Sequence, residues 1–210
     1  MNGLKLVSGL PASVGKWTKL KAFHADGCAL QVLPAQVEQW HALTRISLNN
    51  NKLTELPSAM QHWTKVEKLF ANDNQLTALP AEIGSMVSLQ KLNVNFNRLT
   101  ALPDTLGQLK QLDEIYAVNN QLSVLPATLL QCISLNKLYI NDNLLATLFG
   151  AVENAEEKRT IEIPSGAWPE LEIFHANKNQ LVAIPSGLTG LPKLKYLHLA
   201  DNRIVGNTLV

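Results

Sequence analysis

Apolar residues in this chain fall on a fixed period. Leu20, Leu43, Val66, Leu89, Leu112 and Leu135 follow one another at 23-residue steps, and after a step of 36 Leu171 and Leu194 resume the spacing. With each of these as position 1, positions 4, 6 and 11 are apolar in every turn of the period: Ile46, Leu48 and Leu53 in the second, Leu92, Val94 and Leu99 in the fourth. Positions 3 and 5 between them are mostly polar or aromatic. That alternation predicts a short half-buried strand, near residues 45–48 in the second turn. A repeat of this length predicts stacked coils, each packing only on its neighbours, so the core lengthens rather than thickens. Strands stacked ~4.8 Å apart in parallel need a crossover, and about fifteen turn-rich residues suit a short 3₁₀ or helical return. The strand side is the more closely spaced, so the stack bends into an arc with a concave strand face.

Polar residues keep columns too. Position 9 reads Cys28, Asn51, Asn74, Asn97, Asn120, Asn143, Asn179 and Asn202. Past the strand the backbone turns inward, and its amides and carbonyls lose their ladder partners. One asparagine offers two donors and an acceptor, so this column is a structural ladder serving its own repeat and the next. Position 15 is Pro34, Pro57, Pro80, Pro103, Pro126 and Pro185, with Pro11 before them. Proline presets the return turn and lowers the entropy of the unfolded chain. Position 21 holds Trp17, Trp40, Trp63, Met86, Leu109, Cys132, Trp168 and Leu191. All four tryptophans therefore belong to one core slot on the convex side, not to recognition.

Composition narrows the function. Leucine accounts for 37 of 210 residues, and the net charge is +1, so nothing global draws the chain to nucleic acid or an anionic membrane. The first residues do not form a secretory signal, and no run approaches a membrane span. Cys28 and Cys132 fall in buried columns four repeats apart, roughly 19 Å at strand spacing, beyond the ~7 Å reach of a disulfide. Two lone buried thiols point to a reducing, cytoplasmic setting.

The motif LxxLxLxxNxLxxLPxxI resembles that of the leucine-rich repeat family, in the 23-residue LPxxI form of cytosolic proteins of the Ras-suppressor and small leucine-rich-repeat-containing types. The resemblance covers residues 7–204. It implies an α/β fold: a right-handed solenoid with a concave parallel sheet and 3₁₀ or helical convex returns. It also implies a protein-binding scaffold without catalysis or cofactor. Residues 1–210 are read as one domain, with a partial repeat at 1–19, eight repeats over 20–204 and an insertion at about 154–166. In that sixth repeat Phe149 replaces the proline and Leu144 adds an exposed apolar residue. The insertion is expected to hang as a tolerated surface loop, extended over residues 160–163, rather than as a partner-contacting flap. Neither end shows a polar cap, so the chain is expected to be part of a longer one.

Outward strand positions are free of the core and are where a partner would be recognised. Position 5 reads His24, Ser47, Phe70, Asn93, Tyr116, Tyr139, His175 and His198; position 3 contributes Arg45, Lys68, Lys91 and Lys137, and ends with Tyr196. Position 7 is mostly asparagine, and position 8 adds Asp73, Asp142, Asp201 and the aromatic Phe96. Solvent-facing rings are unfavourable unless covered, and such residues dominate interfaces. The expected site is therefore Phe70, Tyr116, Tyr139, His175 and His198, with Lys68, Lys91, Lys137, Phe96 and Tyr196 around it. Stripes spanning ~34 Å suit a helix or an extended peptide bearing acidic and apolar side chains. The partner is a protein or peptide, and the oligomeric state is open. His175, His198 and Asp201 make a poor metal set. No phosphate loop, nucleophile elbow or zinc-protease motif occurs. In the alternative reading these repeats select substrates for a larger enzyme, a ubiquitin ligase or kinase.

Overall fold

A computed structural model describes residues 9–154, 157–160, 162–184 and 186–205. Pro185, Ile161 and the chain before Gly9 lie outside the described residues. Ten strands follow in chain order: β1 (Ala22–His24), β2 (Arg45–Ser47), β3 (Lys68–Phe70), β4 (Lys91–Asn93), β5 (Glu114–Tyr116), β6 (Lys137–Tyr139), β7 (Ala151–Asn154), β8 (Glu157–Thr160), β9 (Ile173–His175) and β10 (Tyr196–His198). Eight form one parallel sheet in the order β1-β2-β3-β4-β5-β6-β9-β10. Equivalent repeat positions pair without offset, as Ile46 with Leu69 and Leu92 with Ile115. The fold is the expected solenoid of parallel strands joined by short 3₁₀ returns.

Burial follows the columns. Leu43, Ile46, Leu48 and Leu53 are wholly inaccessible, as are Leu89, Leu92, Val94 and Leu99, and one continuous core runs the length of the stack. Pro11, Pro34, Pro57, Pro80, Pro103 and Pro126 each sit extended just before a 3₁₀ helix; Pro34, at φ −70° and ψ 153°, precedes Ala35–Gln39. Its carbonyl accepts the first 3₁₀ hydrogen bond, from Val37 N at 3.1 Å. Proline suits this place because its fixed φ is met and its missing N–H is not needed.

The asparagines of position 9 behave as a ladder. Asn97 Oδ1 accepts from Leu76 N (3.0 Å), and its Nδ2 donates to Ala71 O (2.9 Å) and Val94 O (3.1 Å), joining two repeats. Cys28 holds the first rung, its thiol donating to Asp26 O at 3.5 Å while Asn51 Oδ1 accepts its backbone N–H. Trp40, Trp63 and Trp168 are fully buried, whereas Trp17 is only partly covered. They carry a polar function that their column did not reveal. Each buried indole donates to the position-18 carbonyl of the preceding repeat: Trp40 to Val14 (2.9 Å), Trp63 to Val37 (3.0 Å) and Trp168 to Leu129 (2.9 Å). The Cys132 thiol makes the same bond to Leu106 O at 3.2 Å.

The sixth repeat departs from expectation. Its insertion is not a loop with residues 160–163 extended; it holds an antiparallel hairpin in which β7 pairs with β8, Ala151 opposite Thr160. A free loop would leave its backbone groups to water, and pairing the two limbs lets them bond to each other. The chain leaves the solenoid after Phe149, which is 1% exposed and packs on Trp168 with ring centroids 5.8 Å apart. It re-enters at Ile163, itself buried.

Candidate functional site

The outward side chains of the sheet separate into two groups. On β5, β6, β9 and β10 the position-5 side chains form a continuous ring ladder. Tyr116 and Tyr139 stack at 4.8 Å with planes 7° apart, Tyr139 meets His175 edge-on at 4.9 Å, and His175 stacks on His198 at 4.0 Å. Direct pairing in a parallel sheet places these residues opposite one another, so the ladder follows from register. Phe70 is not part of it. Asn93 intervenes between Phe70 and Tyr116, and the Phe70 ring instead lies under the Arg45 guanidinium, 5.2 Å from its centroid. Tyr196 stands apart on β10, opposite Ile173 and more than half exposed.

The basic column is likewise divided. Glu114 lies between Lys91 and Lys137 in register and forms ion pairs with both, to Lys137 at 2.8 Å. The Tyr116 hydroxyl donates to the same carboxylate at 3.0 Å, and Lys91 Nζ stands 4.7 Å from the Tyr116 ring centre. Burial works to raise the Glu114 pKa, but hydrogen bonds from Lys137, Lys91 and Tyr116 outweigh it and hold the carboxyl at about 2. Burial, with the bond to Glu114, pushes the Tyr116 phenol up to about 12. Lys137 is raised by its hydrogen bond to Glu114. Two of the four cations thus share the single negative charge of a residue that sequence reading left out of the site. Arg45 and Lys68 remain adjacent in register, without a carboxylate partner among the described residues. Burial, then the neighbouring His198, lowers the pKa of His175.

The Asn/Asp stripe is largely structural. Position-7 side chains accept the backbone N–H of position 7 in the next repeat: Asp26 from Asn49 (2.8 Å), Asn49 from Asn72 (3.2 Å), Asn95 from Val118 (2.7 Å), Asn141 from Asn177 (3.0 Å) and Asn177 from Ala200 (3.1 Å). Position 8 is the left-handed residue of the turn: Asn50, Asp73, Asn119, Asp142 and Asp201 have φ of 54–56°, which Asn and Asp tolerate best after glycine. Phe96 occupies that slot with φ 53° and is half exposed. The neighbouring Val118, which breaks the position-7 column in the next repeat, was not singled out, although the break is visible in the sequence.

Cys132 is buried, and burial pushes its thiol up to about 11, with Lys110 pulling weakly the other way. Such a thiol is unreactive. Among the described residues no helix is long and apolar enough to cross a membrane, and no group of three or more metal-ligating side chains forms.

Comparison with known proteins agrees with this architecture. The Leucine Rich Repeat family profile matches residues 42–63 and 88–109. No curated protein sequence matches the chain. Among solved structures, a Leptospira interrogans LRR protein is 26% identical with a TM-score of 0.53, over 97% of this chain and 66% of its own. The LRR ectodomain of the Arabidopsis thaliana membrane receptor kinase GASSHO1/SCHENGEN3, solved in complex with CASPARIAN STRIP INTEGRITY FACTOR 2, is 26% identical with a TM-score of 0.71, over 94% of this chain and 26% of its own. The Arabidopsis receptor kinase HAESA shares the fold at 24% identity and a TM-score of 0.75, over 93% of this chain and 32% of its own. This chain therefore spans about two thirds of the Leptospira protein and about a quarter of the first receptor ectodomain. Repeat motif, parallel sheet, asparagine ladder and structural relatives agree: the chain carries leucine-rich repeats and folds as a leucine-rich repeat solenoid.

Proposed function

We propose that the chain is a non-catalytic interaction module of the cytoplasm that binds a protein or peptide across its concave strand face. The observation that carries this reading is the ladder of Tyr116, Tyr139, His175 and His198. Its rings lie side by side on the solvent face of a sheet whose core is already complete. Ring stacking stabilises the face only slightly, by about 0.5–1.5 kcal/mol per pair. A rigid aromatic surface of this kind gives contact area with little ordering entropy left to oppose association. The complex formed by the 26%-identical plant ectodomain supports the binding role. Cys28 and Cys132 are both buried in columns four repeats apart, too far for a disulfide with each other, which supports a reducing compartment. The Glu114 carboxylate, shared by Lys91 and Lys137, interrupts the cationic column and weighs against nucleic acid, which needs an unbroken cationic track. The same face would serve equally inside a larger enzyme that uses its repeats to choose substrates.

Affinity capture from native lysate, with the wild-type chain beside a Tyr116→Ala/Tyr139→Ala double variant, tests the reading. The expected result is loss of the captured partner by the double variant. An unchanged partner set removes the ladder from the site.

A further inference from the structure

Phe96 and Val118 each depart from the residue type usual in their column, in adjacent repeats and at adjoining places, and Lys178 and Ala200 do so nearer β9 and β10. Phe96 puts an aromatic residue at φ 53°, where five of the other repeats use Asn or Asp, one uses glycine and one the polar Lys178. Its ring covers nothing in the core and is half exposed. Val118 stands where asparagine holds the outer ladder, and so offers no side-chain acceptor to Asn141, whereas Asn95 offers one to Val118 itself. The two residues touch through the backbone, Phe96 N donating to Val118 O at 2.8 Å. Burial alternates along the segment, with Ile115 and Ala117 inward and Tyr116 and Val118 outward. Val118 thus continues the face of Tyr116, and Phe96 lies beside it at the rim.

Phe96 leaves apolar surface half exposed at the rim, and Val118 continues the outward face of Tyr116. Lys178 in the equivalent slot pairs with Asp142, whereas the Phe96 ring is held at positive φ and stays half exposed, which points to use of that side chain by something outside the chain. The charge pattern says what that is. Arg45 and Lys68 are neighbours on β2 and β3, like charges opposite one another are unfavourable, and neither has a carboxylate partner among the described residues. The charge that completes this face must come from the ligand.

Resting on the binding role proposed above, we propose that the partner is an extended acidic peptide segment. It lays an apolar side chain on Phe96, Val118 and Tyr116 and brings a carboxylate to Arg45 and Lys68. Extended chain rises ~3.3 Å per residue and strands lie ~4.8 Å apart, so a short peptide crossing β3 to β5 reaches both points.

A library of random linear peptides displayed on phage, panned on the full chain, tests this. Enriched sequences are expected to carry Asp or Glu at a fixed separation from an aromatic or large aliphatic residue. Phe96→Asn is expected to bind a selected peptide at least tenfold more weakly while its unfolding midpoint rises, because asparagine suits the left-handed slot. Weaker binding therefore cannot be blamed on misfolding. Arg45→Glu/Lys68→Glu is expected to lose the acidic peptides and, panned afresh, to select basic ones. Unchanged affinity in Phe96→Asn, or the same sequences selected by the charge-reversed variant, overturns the inference. If Tyr116→Ala/Tyr139→Ala alone loses binding, the strand-face role stands and this partner chemistry falls; if no variant loses binding, both fall.

Discussion

At the residue scale, two asparagine columns look alike on paper and differ in what they hold. Asn97 is buried and serves four backbone groups in two repeats, so alanine there strands donors and acceptors away from water. We expect Asn97→Ala to cost about 1–3 kcal/mol in urea unfolding. Asn95 is half-buried and makes a single ladder bond, to Val118 N, which water can replace. Asn95→Ala is expected to cost less, about 0.5–1.5 kcal/mol. A larger loss at Asn95 than at Asn97 would reverse the roles assigned to the two columns. The inner ladder was legible because its column admits almost nothing but asparagine. The outer one was not, because an outward asparagine reads equally as surface. Glu114 escaped for a related reason: its function depends on lysines 23 residues away on either side, which only register brings together.

Glu114 also fixes an acid limb of stability. Its pKa falls from 4.5 to about 2 on folding, so the folded state binds protons less readily than the unfolded chain. The stabilisation is present in full above about pH 4.5 and disappears as pH falls toward 2. His175, also lowered on folding, adds a separate limb: its contribution is present above its ordinary 6.5 and is lost as pH drops below that. Urea midpoints followed from neutral pH downward should show both limbs in the wild type. Glu114→Gln should remove only the lower one, and an unaltered profile would mean that the ion-paired carboxylate does not distinguish folded from unfolded chain.

At the scale of elements, the returns show what a repeat pattern can and cannot convey. The regular 3₁₀ helices were anticipated from proline and turn residues. The hairpin of the sixth repeat was not, since polar residues without periodicity carry no pairing signal. How the chain re-enters the stack was equally hidden. A Cβ built on Gly187 would lie 2.1 Å from Ile163 O, so that glycine is what lets the returning segment close on the next 3₁₀ helix, Ser186–Gly190. Gly190, in the same helix, has open space within 4 Å. Gly187→Ala should therefore destabilise by about 1–3 kcal/mol through overpacking, whereas Gly190→Ala should be neutral or stabilise by about 0.4–1 kcal/mol. Thermal melts of the two variants compare them directly. Equal melting temperatures would show that the re-entry does not depend on this close approach.

At the scale of the whole molecule, the fold was readable in one dimension because it is built in one. Leu92 reports on its column wherever the repeat stands, and the columns alone foretold the sheet order. What the columns cannot foretell is how stability is distributed along the stack, because that depends on neighbours rather than on motif. Leu92 and Leu197 occupy the same position 4, yet Leu92 is fully buried between β3 and β5, while Leu197 on β10 is 39% exposed, with a strand on one side only among the described residues. In a nearest-neighbour solenoid, opening β4 breaks two interfaces and opening β10 breaks one. We expect Leu92→Ala to cost about 2–5 kcal/mol and Leu197→Ala about 1 kcal/mol or less. Hydrogen exchange of this 210-residue chain should follow the same order, with the amides of β4 and β5 protected up to the global unfolding free energy and those of β10 exchanging through a much smaller opening. Leu197→Ala should hasten exchange in β10 and β9 and leave β4 untouched, whereas Leu92→Ala should lower protection on both sides of its strand. Uniform protection from β1 to β10 would instead make the stack a single cooperative block, in which a cut at the end is felt as strongly as one in the middle.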